Sequence, residues 1–305
     1  MKVMRSILIG YGYWGRIVER YLQQSEEFLL LGIFDPHLGN SPDLDMFLEK
    51  KDTDCAFICT PLATHYAIVQ DMLGRGLHIF CEKPLCHCLE QTAALYQTAH
   101  RKNRVLFTDY IYTVSPSVQF IKEQLGRLGE IRYINMDIRQ FGRFYKSDSV
   151  YEVLGVHMIS ALAYVFDTKE GEIKVTLADT MTYGSQNQAE SGCILFRLRQ
   201  MRGKIVCSLV SDEKIRKMEF LCDHGAIIFN MLAQDTVKVI QYQEDDTNIG
   251  QKKQDVLDCR QFDEANNLRL VCKRFYQSIG SGDRENEKIS MQVADVLEQI
   301  RQYQA

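Results

Sequence analysis

Three glycines, Gly10, Gly12 and Gly15 in the run GYGYWG, follow a short apolar stretch, and Asp35 stands 20 residues beyond the last of them. This spacing suits a dinucleotide. The first glycine permits a tight turn, the second lets the backbone approach a pyrophosphate, and the third allows close packing of a helix on a strand. The helix start then presents its N–H groups to the phosphates. A carboxylate at Asp35, at the end of the second expected strand, is placed to accept both ribose hydroxyls. It would repel a 2′-phosphate, and the PHLGN that follows holds no Arg or Lys to receive one, so NAD is expected rather than NADP.

Other residues carry weaker signals. Cys81, Cys86, His87 and Cys88 lie close together, but no CxxC pair opens a zinc-type spacing, and no metal site is expected. The ten cysteines sit mostly in apolar runs, where a thiol behaves as a small hydrophobe in a reducing compartment. Arg139, Arg143 and Tyr145 precede an apolar helical run that contains His157. An arginine fork there suits a phosphate or carboxylate, although the charge pattern fits a solvated basic face equally well.

Positioning these groups requires two architectures. Strands are predicted near 6–9, 29–34, 55–59, 78–81 and 105–108, with helices near 15–24, 44–50, 65–74 and 89–103 between them. Such alternation specifies an α/β fold with a doubly wound parallel sheet, a Rossmann domain over 1–115. Residues 116–305 read as a second α/β domain for substrate binding and oligomerisation. It comprises a helix near 117–125, a strand near 131–139, a helix near 150–166 and a large, mostly antiparallel sheet from 173 to 242. In KIVCSLVSD, alternation sets Ile205, Cys207 and Leu209 on one face. Helices near 264–279 and 289–302 finish the chain and are free to pack back across the boundary.

Composition excludes several classes. With 36 Lys+Arg against 40 Asp+Glu the formal charge is -4, which gives no footprint for nucleic acid. No apolar run approaches the 18 or more residues of a membrane span, and the N-terminus lacks a signal-peptide pattern, so a cytoplasmic protein is expected. An apolar face on the second sheet would favour a homo-oligomer, a dimer or tetramer.

GYGYWG, CTPLATHYAI from Cys59, CEKPL from Cys81 and LGVH ending at His157 together resemble the Gfo/Idh/MocA oxidoreductases, most closely the nucleotide-sugar 3-dehydrogenase branch. The resemblance implies cofactor contacts from Gly10, Tyr11, Gly12, Tyr13, Trp14, Gly15, Asp35, Thr60, Pro61, His65, Glu82 and Lys83. It makes Lys83, before a cis proline, the cation beside the reacting oxygen, and His157 the general acid/base. Tyr110 and Tyr112 fall where the family has sugar contacts, in DYIY rather than the usual DHTF. Val153 and Met158 stand where relatives commonly carry aspartates. Glu152 is displaced by about 100° on a regular helix and substitutes only if that turn is irregular. The implied function is NAD-dependent hydride transfer to or from a hydroxyl or ketone carbon of a sugar, nucleotide sugar or cyclitol. The competing reading is a regulatory or scaffolding protein that keeps the dinucleotide fold without efficient chemistry.

Overall fold

The structure, a computed structural model, describes residues 2–39, 41–183, 188–234, 236–244 and 251–303. The chain divides into two compact units, Met1–Ile111 with Leu268–Ala294, and Tyr112–Asn267 with Asp295–Ala305.

In the first unit the order is β1 (Met4–Ile9), α1 (Tyr13–Gln24), β2 (Phe28–Phe34), α2 (Leu44–Lys50), β3 (Cys55–Ile58), α3 (Leu62–Gly74), β4 (His78–Cys81), α4 (Leu89–Arg101) and β5 (Leu106–Thr108). The strands pair in parallel in the order β2-β1-β3-β4-β5. A parallel sheet needs both faces covered, which is why CAFI in β3 is apolar and buried at every position. One face sets Ile7, Ile9, Ala56, Ile58 and Ile79 under Val69, Met72 and Leu95. The other carries Phe28, Phe57, Phe80 and Phe107, and Phe275 lies between 5.7 and 5.9 Å from all four rings. Each such aromatic pair contributes about 0.5–1.5 kcal/mol beyond its buried area. That contact holds Leu268–Ala294 in this unit; the sequence reading assigned 116–305 to the second domain with its last helices free to pack back.

The parallel ladders run one residue past the strand ends. Gly10 N–H donates to Phe34 O (2.8 Å), Cys59 to Ile9 O (2.8 Å), Glu82 to Ile58 O (2.9 Å) and Asp109 to Cys81 O (2.8 Å). This register aligns Gly10, Cys59, Glu82 and Asp109 along one carboxyl-terminal rim. The chain switches from one side of β1 to the other between β2 and β3, and in doubly wound sheets ligands bind at that switch.

The second unit contains α5 (Pro116–Gln124), β6 (Ile131–Phe141), a π-helical turn at Tyr151–Gly155, α6 (Val156–Val165) and seven further strands. These are β7 (Ile173–Met181), β8 (Ser191–Leu198), β9 (Met201–Ser208), β10 (Val210–Cys222), β11 (Gly225–Asn230), β12 (Val237–Glu244) and β13 (Lys252–Arg260). The eight-stranded sheet has the order β13-β12-β11-β10-β6-β9-β8-β7. Its β6–β9 pair is parallel and the other pairs are antiparallel. Ile134, Met136, Ile138, Ile205, Cys207, Met218, Phe220 and Phe229 bury one face, on which α5 and α6 pack. On the other, Asn135, Asp137, Arg139, Lys204, Lys217 and Glu219 are half-buried, so that face is mixed in polarity rather than apolar.

Strand β13 lies beyond the expected end of the sheet at 242. Its sequence, KKQDVLDCR, is polar on both sides, and charged residues of this kind blunt a sheet edge. The chain ends in α7 (Asn267–Ser281) and α8 (Glu285–Gln302). Helix α7 starts later than the 264 expected, because Glu264 accepts hydrogen bonds from Ser115 Oγ and Ser117 N. Among the described residues no helix is long and apolar enough to cross a membrane.

Candidate functional site

The glycine loop follows from the backbone its sequence allows. Gly10 has φ of 92°, and a Cβ there would stand 2.6 Å from Cys59 O. A Cβ on Gly15 would run into the carbonyl oxygen of Gly10. These two glycines let α1 start against the ends of β1 and β3. Gly12 differs: it is exposed, it caps α1 with ordinary backbone angles, and a Cβ there would meet nothing within 4 Å. Its missing side chain therefore answers to space outside the protein's own packing. Tyr13 and Trp14, in the first turn of α1, are exposed and pack edge to face at 5.7 Å.

Asp35 has a second task that spacing alone did not reveal. One carboxylate oxygen accepts from Tyr11 N–H (2.6 Å) and the other from His37 N–H (2.8 Å). These two backbone bonds hold the carboxyl below its ordinary range. Asp35 thus ties the glycine loop to the end of β2, and each oxygen retains a lone pair for a further donor. The Tyr11 hydroxyl in turn donates to Glu19 (2.5 Å). Beside Asp35, a cavity of about 390 Å³ is lined by Ile9, Phe34, Pro42, Ile68 and Met72.

Further along the rim, Thr60 and Pro61 lie between β3 and α3. His65 is fully buried, with Nδ1 3.0 Å from Pro84 O and Nε2 2.9 Å from Thr60 O. Both neighbours are acceptors, so a neutral ring donates to one of them and only the doubly protonated ring donates to both. Either way His65 ties the loop after β3 to the loop after β4, where Lys83–Pro84 is a cis peptide. Lys83 is half-buried. Its neighbours Glu82, expected as a cofactor contact, and Asp109, given no role by the sequence reading, form a buried carboxyl pair. Burial and the Glu82 charge push Asp109 far up, and burial pushes Glu82 up against the pull of Lys83.

In the second unit, the π-helical turn Tyr151–Gly155 delivers the chain into α6 just before His157. The turn is therefore irregular, the condition under which Glu152 was to stand in for a missing aspartate. The Glu152 carboxylate accepts from Ser149 N (2.8 Å) and Ser149 Oγ (3.1 Å) and pairs with Arg301 (3.3 Å). Met158, at the other departure from the family pattern, is fully buried. The His157 ring meets the Tyr112 ring at 5.7 Å, and Tyr112, itself buried, packs on Phe229 and donates to Met231 Sδ (3.6 Å).

The structure brings together the predicted residues of the β1–β4 rim, and it joins Tyr112 to His157. Tyr110 lies in the first unit, fully buried, with its hydroxyl toward Ser290 and Thr108, so it presents no surface to a substrate. Arg139 projects from the sheet face opposite Ile138 and α6, and forms a two-pronged pair with Asp137 (2.6 Å in each arm). Arg143 is exposed and Tyr145 half-buried in the loop after β6.

Residues 4–110 match the family model described as oxidoreductase family, NAD-binding Rossmann fold. The match lies within the first unit and covers about a third of the chain. Among curated relatives, UDP-N-acetylglucosamine 3-dehydrogenase from Acidithiobacillus ferrooxidans is 28% identical over 147 residues, covering 44% of this chain and 45% of that one. A 2,7-anhydro-N-acetylneuraminate hydratase from Mediterraneibacter gnavus is 21% identical over 145 residues, covering 44% and 39%. The chain thus spans less than half the length of these relatives. Whole-chain likeness appears in solved structures. That UDP-N-acetylglucosamine 3-dehydrogenase superposes with a TM-score of 0.79 at 19% identity, covering 99% of this chain and 98% of that one. A 3-ketoreductase from Actinomadura kijaniata, in complex with TDP-benzene and NADP, superposes at 0.80 and 18%, covering 98% and 97%. At these identities the likeness establishes the two-part α/β fold of both units.

Proposed function

We propose that the protein is an NAD-dependent oxidoreductase acting on a hydroxyl or ketone carbon of a sugar, with nucleotide sugars the first class to examine. The observation that carries this reading is the rim of the first unit. There the glycine loop, Asp35, the His65-tethered loops and Lys83 follow successive strand ends, at the edge where doubly wound sheets bind ligands.

The residues present fit a dinucleotide. Gly12 leaves open space at the start of α1, where a helix N-terminus favours a pyrophosphate. Asp35 would take the ribose hydroxyls, and the apolar cavity beside it would take adenine. The anionic Asp35 supports NAD over NADP. When bound, the nicotinamide supplies or accepts a hydride at C4.

The chain's own residues would do the rest. Lys83 places an ammonium where negative charge grows on the reacting oxygen, beside the buried Glu82–Asp109 pair. His157 moves the hydroxyl proton, with its ring packed against Tyr112. The mixed outer face of the second sheet, where Leu177 and Leu195 pair and stay exposed, is the surface proposed for self-association.

A second reading, a dinucleotide-binding protein without efficient chemistry, is favoured by one observation. Met158, at a position where relatives commonly carry an aspartate, is fully buried. Absorbance at 340 nm across a panel of sugars and nucleotide sugars separates the two. The oxidoreductase reading expects NAD-dependent turnover that Lys83→Met abolishes while NAD binding survives. Normal turnover in that variant would remove Lys83 from the chemistry.

A further inference from the structure

Arg216 was not among the residues the sequence singled out, and it occupies an unusual place. It lies on β10 on the same face as Met218 and Phe220, the apolar face that α5 and α6 cover, and it is 9% exposed. Cross-strand pairing sets it against Ile138. A guanidinium there loses hydration, and burial pulls its proton affinity down. Side chains of this kind are normally paired with a carboxylate.

Arg216 has no such partner among the described residues. Nη1 donates to Arg139 O (2.8 Å) and Ile215 O (2.7 Å), and Nη2 donates to the side-chain oxygen of Gln140. All three acceptors are neutral. The nearby carboxylates are engaged elsewhere: Asp137 with Arg139 on the opposite face, and Glu264 with Ser115 and Ser117. A guanidinium carries five N–H donors, so the Nε hydrogen and one Nη2 hydrogen are left over. Two donors on one cation match two oxygens of a phosphoryl or carboxylate group. The location links Arg216 to the proposed chemistry. Its carbonyl accepts from Met231 N–H (3.0 Å), Met231 Sδ accepts from Tyr112, and the Tyr112 ring meets His157.

We propose that Arg216 is the oxyanion anchor of the substrate site in the second unit. It takes a phosphoryl or carboxylate group that is part of the substrate, beside Tyr112 and His157. This rests on the oxidoreductase reading for the identity of the bound molecule, and on the Arg216 environment for the anchor. It moves the anion-binding task from Arg139, whose charge Asp137 already neutralises, to a cation that no carboxylate pairs among the described residues.

The test is calorimetry on the full-length protein loaded with NADH, titrated with two probes, UDP for the diphosphate source and glucuronate for the carboxylate source. Arg216→Gln keeps a donor toward the β6 carbonyl and removes the charge. Arg216→Lys keeps the charge and removes the fork. The expected result is that one probe binds the parent, that Arg216→Gln weakens it about tenfold to a hundredfold, and that Arg216→Lys falls between. The probe that responds identifies the source. If Arg216→Gln does not fold, the Lys variant decides, with at least a fivefold loss expected at an unchanged melting temperature. Parent-like binding of both probes by the folded variants, or no binding of either probe by the parent, overturns the proposal. A protein that binds a probe through Arg216 yet oxidises and reduces no sugar would keep the anchor and overturn the oxidoreductase reading.

Discussion

Replacing Gly12 and Gly15 separately by alanine tests whether the glycine loop receives phosphates, because the structure gives the two positions opposite consequences. At Gly12 a methyl group meets no atom within 4 Å, and the backbone, with φ of -72°, accepts alanine without strain. Only the loss of glycine as a helix cap remains, an effect of about 0.5–1 kcal/mol. In a unit of this size that lowers the melting temperature by about 2–4 °C. The same methyl stands where a phosphate oxygen must approach an N–H group. Losing one hydrogen bond to a charged oxygen costs about 1.5–3 kcal/mol, or roughly a 10- to 150-fold weaker dissociation constant for NADH. At Gly15 the new Cβ collides with the Gly10 carbonyl, backbone against backbone, and neither side can rotate away. Overpacking of this kind costs about 1–3 kcal/mol before cofactor is considered. Thermal unfolding without nucleotide, beside NADH calorimetry, resolves the two effects. The prediction is a stable, weakly binding Gly12→Ala and a destabilised Gly15→Ala. If Gly12→Ala binds NADH as the parent does, the loop does not hold the pyrophosphate, and the reasoning fails.

Two further outcomes follow from charges in the first unit. NADH should bind more tightly than NADPH, and Asp35→Asn should narrow that preference while loosening the glycine loop, since Tyr11 N–H loses an anionic acceptor; calorimetry with both nucleotides checks this, and a parent that prefers NADPH would remove Asp35 from its assigned role. His78 is held near pKa 4 by burial and by Arg104, and its Nδ1 accepts from Val105 N–H. Its folded value lies below the unfolded value of about 6.5, so the unfolded chain takes up the proton first and stability falls as pH drops from about 6.5 toward 4. After allowance for solvent around a half-buried ring, the loss is on the order of 2 kcal/mol, and His78→Gln should flatten the melting temperature over that window.

Much of the first unit was legible because its information is local. Short apolar runs with glycines and acids at their ends specify a parallel strand and its rim without reference to distant residues. The return of Leu268–Ala294 was left open, with the last helices free to pack back, since nothing around Phe275 indicates which of two sheets its ring will meet. Strand β13 escaped because an edge strand with charges on both faces has no apolar alternation to read. The π-helical turn before His157 was invisible to an argument built on 3.6 residues per turn. Arg139 and Arg216 show the reverse case. Strict alternation of Ile134, Met136 and Ile138 already excluded Arg139 from the buried face, and a cation in phase with Met218 and Phe220 already marked Arg216. Both signals were present in period two and required only that charged residues be tested against it.

The most direct test of the central claim is isotope transfer. The protein is incubated with NADH carrying deuterium on either face of nicotinamide C4 and a panel of keto-sugars and keto-nucleotide sugars, and the sugar products are examined by mass spectrometry. The account predicts deuterium on a single sugar carbon from one C4 face only, present with the parent and absent with Lys83→Met although that variant still binds NADH. NADH binding that depends on Gly12, with no deuterium reaching any carbonyl carbon, would contradict it and establish a dinucleotide-binding protein without redox chemistry.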